Sequence, residues 1–523
     1  MILWTPDFRK ESSMKYDLII KNANIISMNP ELSKYNWLAV KEGKINDIGM
    51  GDFNGEADRI LDADGATVLP GLTDCHVHVL NAGINLNGVD LQNCRNINEV
   101  LEVLREKCSG EEGNGWIYGV NYVPQNIEEG RYPDRWELDQ ICNGHKVVIF
   151  AATLHGCATN SAGIEIADVP DDYPGVEKKD GGISGVYLSD ESSFLATANI
   201  LGSLTDDELW KVIEDCADYA ASKGATTIHG LFGQFVKDDR DLDLILEKSD
   251  RLKTDMVVFY QTWDVQKAID KGLPRVGGCL TLDGALFEYT MANFEPFVTA
   301  PALRGVLYHT DEEVYRVISE AHKAGMQCTL HAVGERAIDQ LIWTYHRVIN
   351  EQGKKDLRHR IEHFCLPTDE QIKMAADLDL IISMQPGFTY TWDKKDGGEF
   401  AMILGRERAD RWDPFNRIID AGITVCGGSD CPVTAIEPLV DIAACVNGDN
   451  PIRNISVTDA LRMYTTNAAY AAAAEDIKGS LEIGKLADIV VIDRDPYDYP
   501  DSRELYDMKV LYTIKNGEVI FEA

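Results

Sequence analysis

The chain has 523 residues, 45% of them hydrophobic and 26% charged, the composition of a globular protein with a large core. Fifty Lys and Arg against 86 Asp and Glu leave a net charge of −36, which repels nucleic acid and anionic membrane surfaces. No apolar run reaches the roughly 18 to 20 residues of a membrane span, the N-terminal "MILWTPDFRKESSMKYD" lacks the longer apolar core of a secretory signal, and the 12 irregularly spaced cysteines include no CxxC pair. A cytoplasmic protein with free thiols is therefore expected.

The first segment reads as strands: "YDLIIKNANIISM", "WLAVKEGKINDIG" and "ADRILDADGATVLPG" are β-type apolar runs broken by Asn and Gly. After Pro70-Gly71 comes "LTDCHVHVL". The stretch from about 85 to 200 is rich in Gly, Asn and Asp and reads as an insertion over a barrel mouth. A helix "ELWKVIEDCADYAASKG" then stops at Gly224, before the strand "ATTIHG". "TDEEVYRVISEAHKAG" opens on a Thr310-to-Glu313 capping box and ends at Gly325. The strand "MQCTLHAVG", the helix "ERAIDQLIWTYHRVIN", "HRIEHF", the helix "TDEQIKMAADL", the strand "IISMQP", and "RIIDAG" leading into "ITVCGGSD" complete the alternation. Helix, glycine, strand and loop in repetition are the signature of parallel βα units. The ending "ADIVVIDRDP" and "VLYTIKNGEVIFEA" is again strand-rich, with a hairpin turn at Asn516-Gly517. The expected fold is α/β: a (β/α)₈ TIM-like barrel over 70–476 with the insertion at about 85–200, and a small β-sandwich built from 1–69 and 477–523.

The chemistry starts at His76-Val-His78. In a strand, residues i and i+2 face one way, so both imidazoles can share a cation. His331 ends "MQCTLHAVG", His363 ends "HRIEHF" and Asp430 ends "ITVCGGSD". Catalytic groups of such barrels gather at the C-terminal ends of strands, and His and Asp donors suit zinc, manganese, iron or cobalt. Any one of these residues alone reads as an ordinary core or loop residue; together they read as a metal site.

The stretches "VLPGLTDCHVHVL", "LHGCATNSAG", "GATTIHG", "LDGAL", "TLHAVGERAID", "RIEHFCLPTDEQI", "GGSDCPVTAIEPL" and "KGSLEIGKLADIVVID" make the chain resemble the amidohydrolase superfamily, in its family-3 branch of YtcJ-like hydrolases and N-substituted formamide deformylases. The resemblance implies a metal-dependent hydrolase of amide, formamide or cyclic amide C–N bonds. It places His76, His78, His331, His363 and Asp430 on metal-site positions, with Asp430 as proton carrier. Relatives commonly carry a metal-bridging carboxylated lysine four residues before the Asp of a "DG" motif. Here that motif is Asp283-Gly284, and Cys279 stands in the lysine's place. A thiol on a short arm leaves three readings: a core cysteine, a bridging thiolate with His331 and His363 on a second ion, or a single ion. We prefer one ion on His76, His78, His331 and Asp430, with His363 catalytic through substrate or water. Zinc is the first choice among divalent metals, at one or two ions per chain.

His155 and Asn160 in "LHGCATNSAG", His229 and Glu335 are read as substrate-binding, each against a plain structural role. "QPGFTYTWDKKDGGEF" reads equally as a lid or a surface excursion. His145, His309, His322, His346 and His359 read as structural. The substrate is a small molecule; nucleic acid and membrane are excluded as partners, and a homo-oligomer stays open. A deaminase, C–C hydrolase or decarboxylase using the same site is the alternative. A dead scaffold ranks lower, because the set of metal donors is complete.

Overall fold

The computed structural model describes residues 15–110, 115–142, 144–394 and 398–523. The first 14 residues of the expected terminal domain lie outside them.

Eight parallel strands form the barrel: β1 (Leu72–Val77), β2 (Ala225–Phe232), β3 (Asp255–Tyr260), β4 (Arg275–Thr281), β5 (Gln327–Ala332), β6 (Arg360–His363), β7 (Ile381–Met384) and β8 (Val425–Gly427). Helices cover the barrel, so strands such as β2 and β6 are buried on both faces; every residue of either is buried. The connections carry the stop and start signals of the sequence. Thr310 Oγ1 accepts from the Glu313 amide, the Glu313 carboxylate accepts from the Thr310 amide, and Gly325 ends that helix at φ 77°. β8 closes the circle on β1: the Asp430 amide donates to the His76 carbonyl (2.8 Å) and the His78 amide to the Cys431 carbonyl (3.0 Å). Three candidate site residues thus form the seam itself.

Both chain ends build one hydrogen-bonded sheet. Ile489–Ile492 lies antiparallel to Thr67–Pro70, with Val490 opposite Leu69, and to Val510–Lys515 on its other side. Lys15–Ile26 carries the N-terminal strands onward. The sheet curls until Lys44 bridges Leu486, enclosing Leu18, Ile20, Val40, Val68, Ile489 and Val491. Asn516 and Gly517 take φ of 50° and 78°, the left-handed pair that a two-residue hairpin needs. Lys478, only 10% exposed, joins this sheet to the barrel through Asp488 (2.9 Å) and Thr227 (3.1 Å).

The irregular stretch of the sequence folds as a second α/β layer. Six short strands, among them Trp116–Tyr122, Lys146–Ala151 and Gly182–Tyr187, pair into a sheet. With the helix Ile97–Gly110 it closes its own core around Leu104, Val147 and Ile149. Among the described residues no helix is long and apolar enough to cross a membrane.

Candidate metal centre

The strand ends converge. His76 lies in β1, His78 just after it, Cys279 in β4, His331 in β5 and His363 at the end of β6, with Asp430 three residues beyond β8. All six are buried. His363 and Asp430 sit at left-handed φ of 74° and 57°, a conformation that non-glycine residues keep where the surroundings enforce it.

Two donor groups result. Donor atoms of His76, His78, Cys279 and Asp430 lie within 4.8 Å of one another, as do those of Cys279, His331 and His363. His76 Nε2 and His78 Nε2 each approach Asp430 Oδ1 to 3.2 Å. Cys279 Sγ is 3.5 Å from both His331 Nδ1 and His363 Nε2. The preferred single-ion set of His76, His78, His331 and Asp430 is therefore not the grouping the fold produces. His331 pairs with His363 on the far side of Cys279, and the sulfur belongs to both groups.

The residues fit a bound cation. His76 Nε2 and Asp430 Oδ1 are buried and find no hydrogen-bond partner among the described residues, a costly state unless something else satisfies them. Ligands about 2.0–2.3 Å from one ion lie at most about 4.6 Å apart, close to the observed spread. Burial disfavours charge on His76, Asp430, Cys279 and His331, yet the charged partners prevail. Asp430 raises His76 well above the usual imidazole range, and His76 holds Asp430 below the usual carboxylate range. Burial pushes the Cys279 thiol up, but His331 and its neighbours draw it well below the usual range. Burial pulls His331 down, while Cys279 and Asp283 lift it to about 10.

Orienting residues escaped the sequence reading. His76 Nδ1 donates to Glu362 Oε2 (2.7 Å), which fixes its tautomer and turns Nε2 to the centre. Arg360 grips Glu362 through Nε (3.0 Å) and Nη2 (2.9 Å), and Thr329 donates to it as well. His363 Nδ1 donates to Gln385 Oε1 (2.8 Å). Asp283 accepts the amides of Ala292, Val333 and Gly334 and faces His331 Nε2 at 3.5 Å. The available signal was an acid directly before a candidate ligand, in "RIEH".

Glu362→Gln is expected to weaken metal binding about 10- to 100-fold through loss of the His76 partner. It should also cost about 3–5 kcal/mol by leaving Arg360 buried without its carboxylate. Metal titration and thermal unfolding of the variant measure both; unchanged affinity would separate Glu362 from the site.

Above the donors lies a cavity. The insertion supplies Leu154, His155 and Phe194, and the stretch read as a lid supplies Phe388, Trp392 and Phe400. Lys395, Asp396 and Gly397 of that stretch lie outside the described residues. His155 reaches this wall, but three other residues read as substrate-binding do not. Asn160 caps the helix Ser161–Ala167 and ties Val147 to His145. His229 points to the barrel interior, where its Nδ1 accepts from Arg360 (2.9 Å); burial and then Arg360 hold it well below the usual imidazole range. Glu335 binds Arg411 (2.7 Å) and the Phe294 amide behind the cavity wall.

Comparison with known proteins accords with this geometry. The profile described as "Amidohydrolase family" matches residues 59–521. N-substituted formamide deformylase of Arthrobacter pascens is 27% identical over 97% of this chain and 98% of its own. Protein LONG AFTER FAR-RED 3 of Arabidopsis thaliana is 26% identical over 92% and 88%. The crystal structure of an uncharacterized metal-dependent hydrolase from Pyrococcus furiosus superposes with a TM-score of 0.74 at 24% identity, covering 92% of this chain and 99% of that one.

Proposed function

The chain belongs to the amidohydrolase family, and from that premise we propose that it hydrolyses a C–N bond of a small, uncharged amide or formamide. Divalent cations, zinc first, would be held by His76, His78, Cys279 and Asp430 and by Cys279, His331 and His363. The observation that carries this reading is the sulfur of Cys279 lying between two complete donor groups at the foot of the cavity. A cation bound there supplies Lewis acidity, which acidifies water and polarises a carbonyl.

The chain's own residues do the rest. Asp430, ionised by its histidine neighbours, takes the proton of the attacking water at Oδ1 and delivers it to the leaving nitrogen. Glu362 and Gln385 keep His76 and His363 in the tautomers that present Nε2 to the centre. Phe194, Phe235, Phe388, Trp392 and Trp412 exclude bulk water from the cavity. Neither Lys, Arg nor Glu is among the described residues lining it, so a substrate carboxylate held against the walls, away from the metal donors, would find no cationic side chain among them, at a desolvation cost. An aromatic or branched apolar substituent fits those walls. A net charge of −36 and cysteines that are all free support a small-molecule enzyme of the cytoplasm.

The test is an N-formylated arylalkylamine, alone and carrying an added carboxylate, with the zinc-loaded protein. Formate and free amine should appear in equal amounts from the neutral compound, cease with a chelator and return with zinc. The carboxylated compound should be turned over at least about tenfold less well, the scale of a lost charge partner. Ammonia or carbon dioxide as the sole product from an amine-bearing or carboxylic-acid panel would instead favour the deaminase or decarboxylase alternative. A preference for the carboxylated amide would refute the uncharged substrate class while leaving the C–N hydrolase intact.

A further inference from the structure

Cys279 has a short side chain at a position where relatives carry a long one, yet its sulfur stands between both donor groups. The backbone accounts for the reach. Up to Gly277, β4 is in register with β5, pairing Arg275, Val276 and Gly277 with Gln327, Cys328 and Thr329. The next pair is Thr281 with His331, so the four-residue step from Gly277 to Thr281 faces the two-residue step from Thr329 to His331. The surplus chain bulges out of the ladder, and Cys279 is in the bulge. On the other side, β3 pairs with β4 only at Tyr260 and Val276.

Two glycines permit the bulge. Gly277 and Gly278 have φ of 101° and 108°, where a side chain is strained. A Cβ on Gly277 would stand 1.9 Å from the Thr329 carbonyl oxygen, and one on Gly278 2.6 Å from Leu231 Cδ2. One side chain replaces the missing ladder bond: Gln261, 4% exposed and directly after β3, accepts the Cys279 amide at Oε1 (3.0 Å).

We propose that the Gly277-Gly278 bulge and Gln261 are a positioning device that advances the Cys279 backbone so that one thiolate serves both cation sites, in place of a longer bridging side chain. The inference rests on the proposed metal centre. It assigns Gly277, Gly278 and Gln261 a role in metal stoichiometry, although none of them is a ligand.

Cobalt(II) reconstitution tests it, because a cobalt–thiolate bond gives a sulfur-to-metal charge-transfer band in the near ultraviolet that histidine and carboxylate ligands do not. The full-length protein should bind two cobalt ions per chain and show the band; Cys279→Ala should lose the band. Gly278→Ala and Gln261→Leu should each weaken the band and lower affinity for one of the two ions by about tenfold or more. Thermal unfolding without metal should show each variant folded. If Gly278→Ala does not fold, Gln261→Leu, which adds no steric conflict with backbone, carries the test, and Gln261→Glu, which keeps the acceptor oxygen, should restore the band. A folded Gly278→Ala or Gln261→Leu with the full band and both ions overturns the positioning role alone. A native protein with cobalt bound but no charge-transfer band overturns the shared sulfur itself, and the positioning role with it.

Discussion

Asp430→Asn is expected to lower kcat/KM by roughly 10³-fold or more while the protein stays folded. A positioned general base contributes about 10²–10⁴ in rate, and weaker metal binding adds to that loss. The fold should survive for local reasons. Asp430 sits at φ 57°, a left-handed conformation that Asn adopts as readily as Asp. The seam it forms with β1 runs through its backbone amide, which donates to the His76 carbonyl and is untouched by the substitution. The side-chain volume hardly changes, so the neighbours need not repack. What changes is Oδ1: a carboxylate flanked by His76 and His78 at 3.2 Å becomes an amide that cannot take up a proton. Activity assays, metal analysis and circular dichroism on one preparation check the result. Near-normal turnover in a folded, metal-replete Asp430→Asn protein would remove Asp430 from the proposed mechanism.

The barrel and the donor set were legible because each rests on a short-range signal. The capping box at Thr310, the glycine stop at Gly325 and the strand-end positions of His76, His78, His331 and Asp430 can all be read within a few residues. What depends on register and on both faces of a strand was not. In β6 all of Arg360, Ile361, Glu362 and His363 are buried, so alternation does not tell which side chain turns inward. Glu362 therefore looked like any acid, although it orients His76. His229 reads as a strand-end residue like the candidate donors, but β2 continues to Phe232 and Arg360 captures its ring. Asn160 lies in a family-like motif, and the same side chain is a helix cap by ordinary backbone chemistry. The insertion was opaque for another reason. Its strands run from two to seven residues, too short for periodicity to build up. The grouping around Cys279 depends on a bulge formed by two glycines and a partner strand elsewhere in the chain, which no local pattern records.

Ending the chain after residue 477 is expected to yield insoluble protein. The cut removes Ile489–Ile492, which lies between Thr67–Pro70 and Val510–Lys515. Thr67–Pro70 would be left with an open, apolar edge, a template for pairing between molecules. It also removes Leu481, Ile489, Val490, Val491, Ile492 and Ile514, each 1% exposed or less. At about 1.5–3 kcal/mol per buried aliphatic side chain, their loss rivals or exceeds the roughly 5–15 kcal/mol that holds a domain folded. The damage reaches the barrel. Asp255 on β3 is held below the usual carboxylate range, against the opposing pull of burial, by Lys478 and Lys515, and both lysines go with the cut. Gly224, just before β2, packs against Val490 and Val510, so the entry to the second barrel strand loses its cover as well. β1, which carries His76, and its barrel neighbour β2 therefore border residues from the far end of the chain. Solubility after expression, followed by metal content of any soluble fraction, is the measurement. A soluble truncated chain with full metal content and native thermal stability would show that the terminal sheet and the barrel are independent.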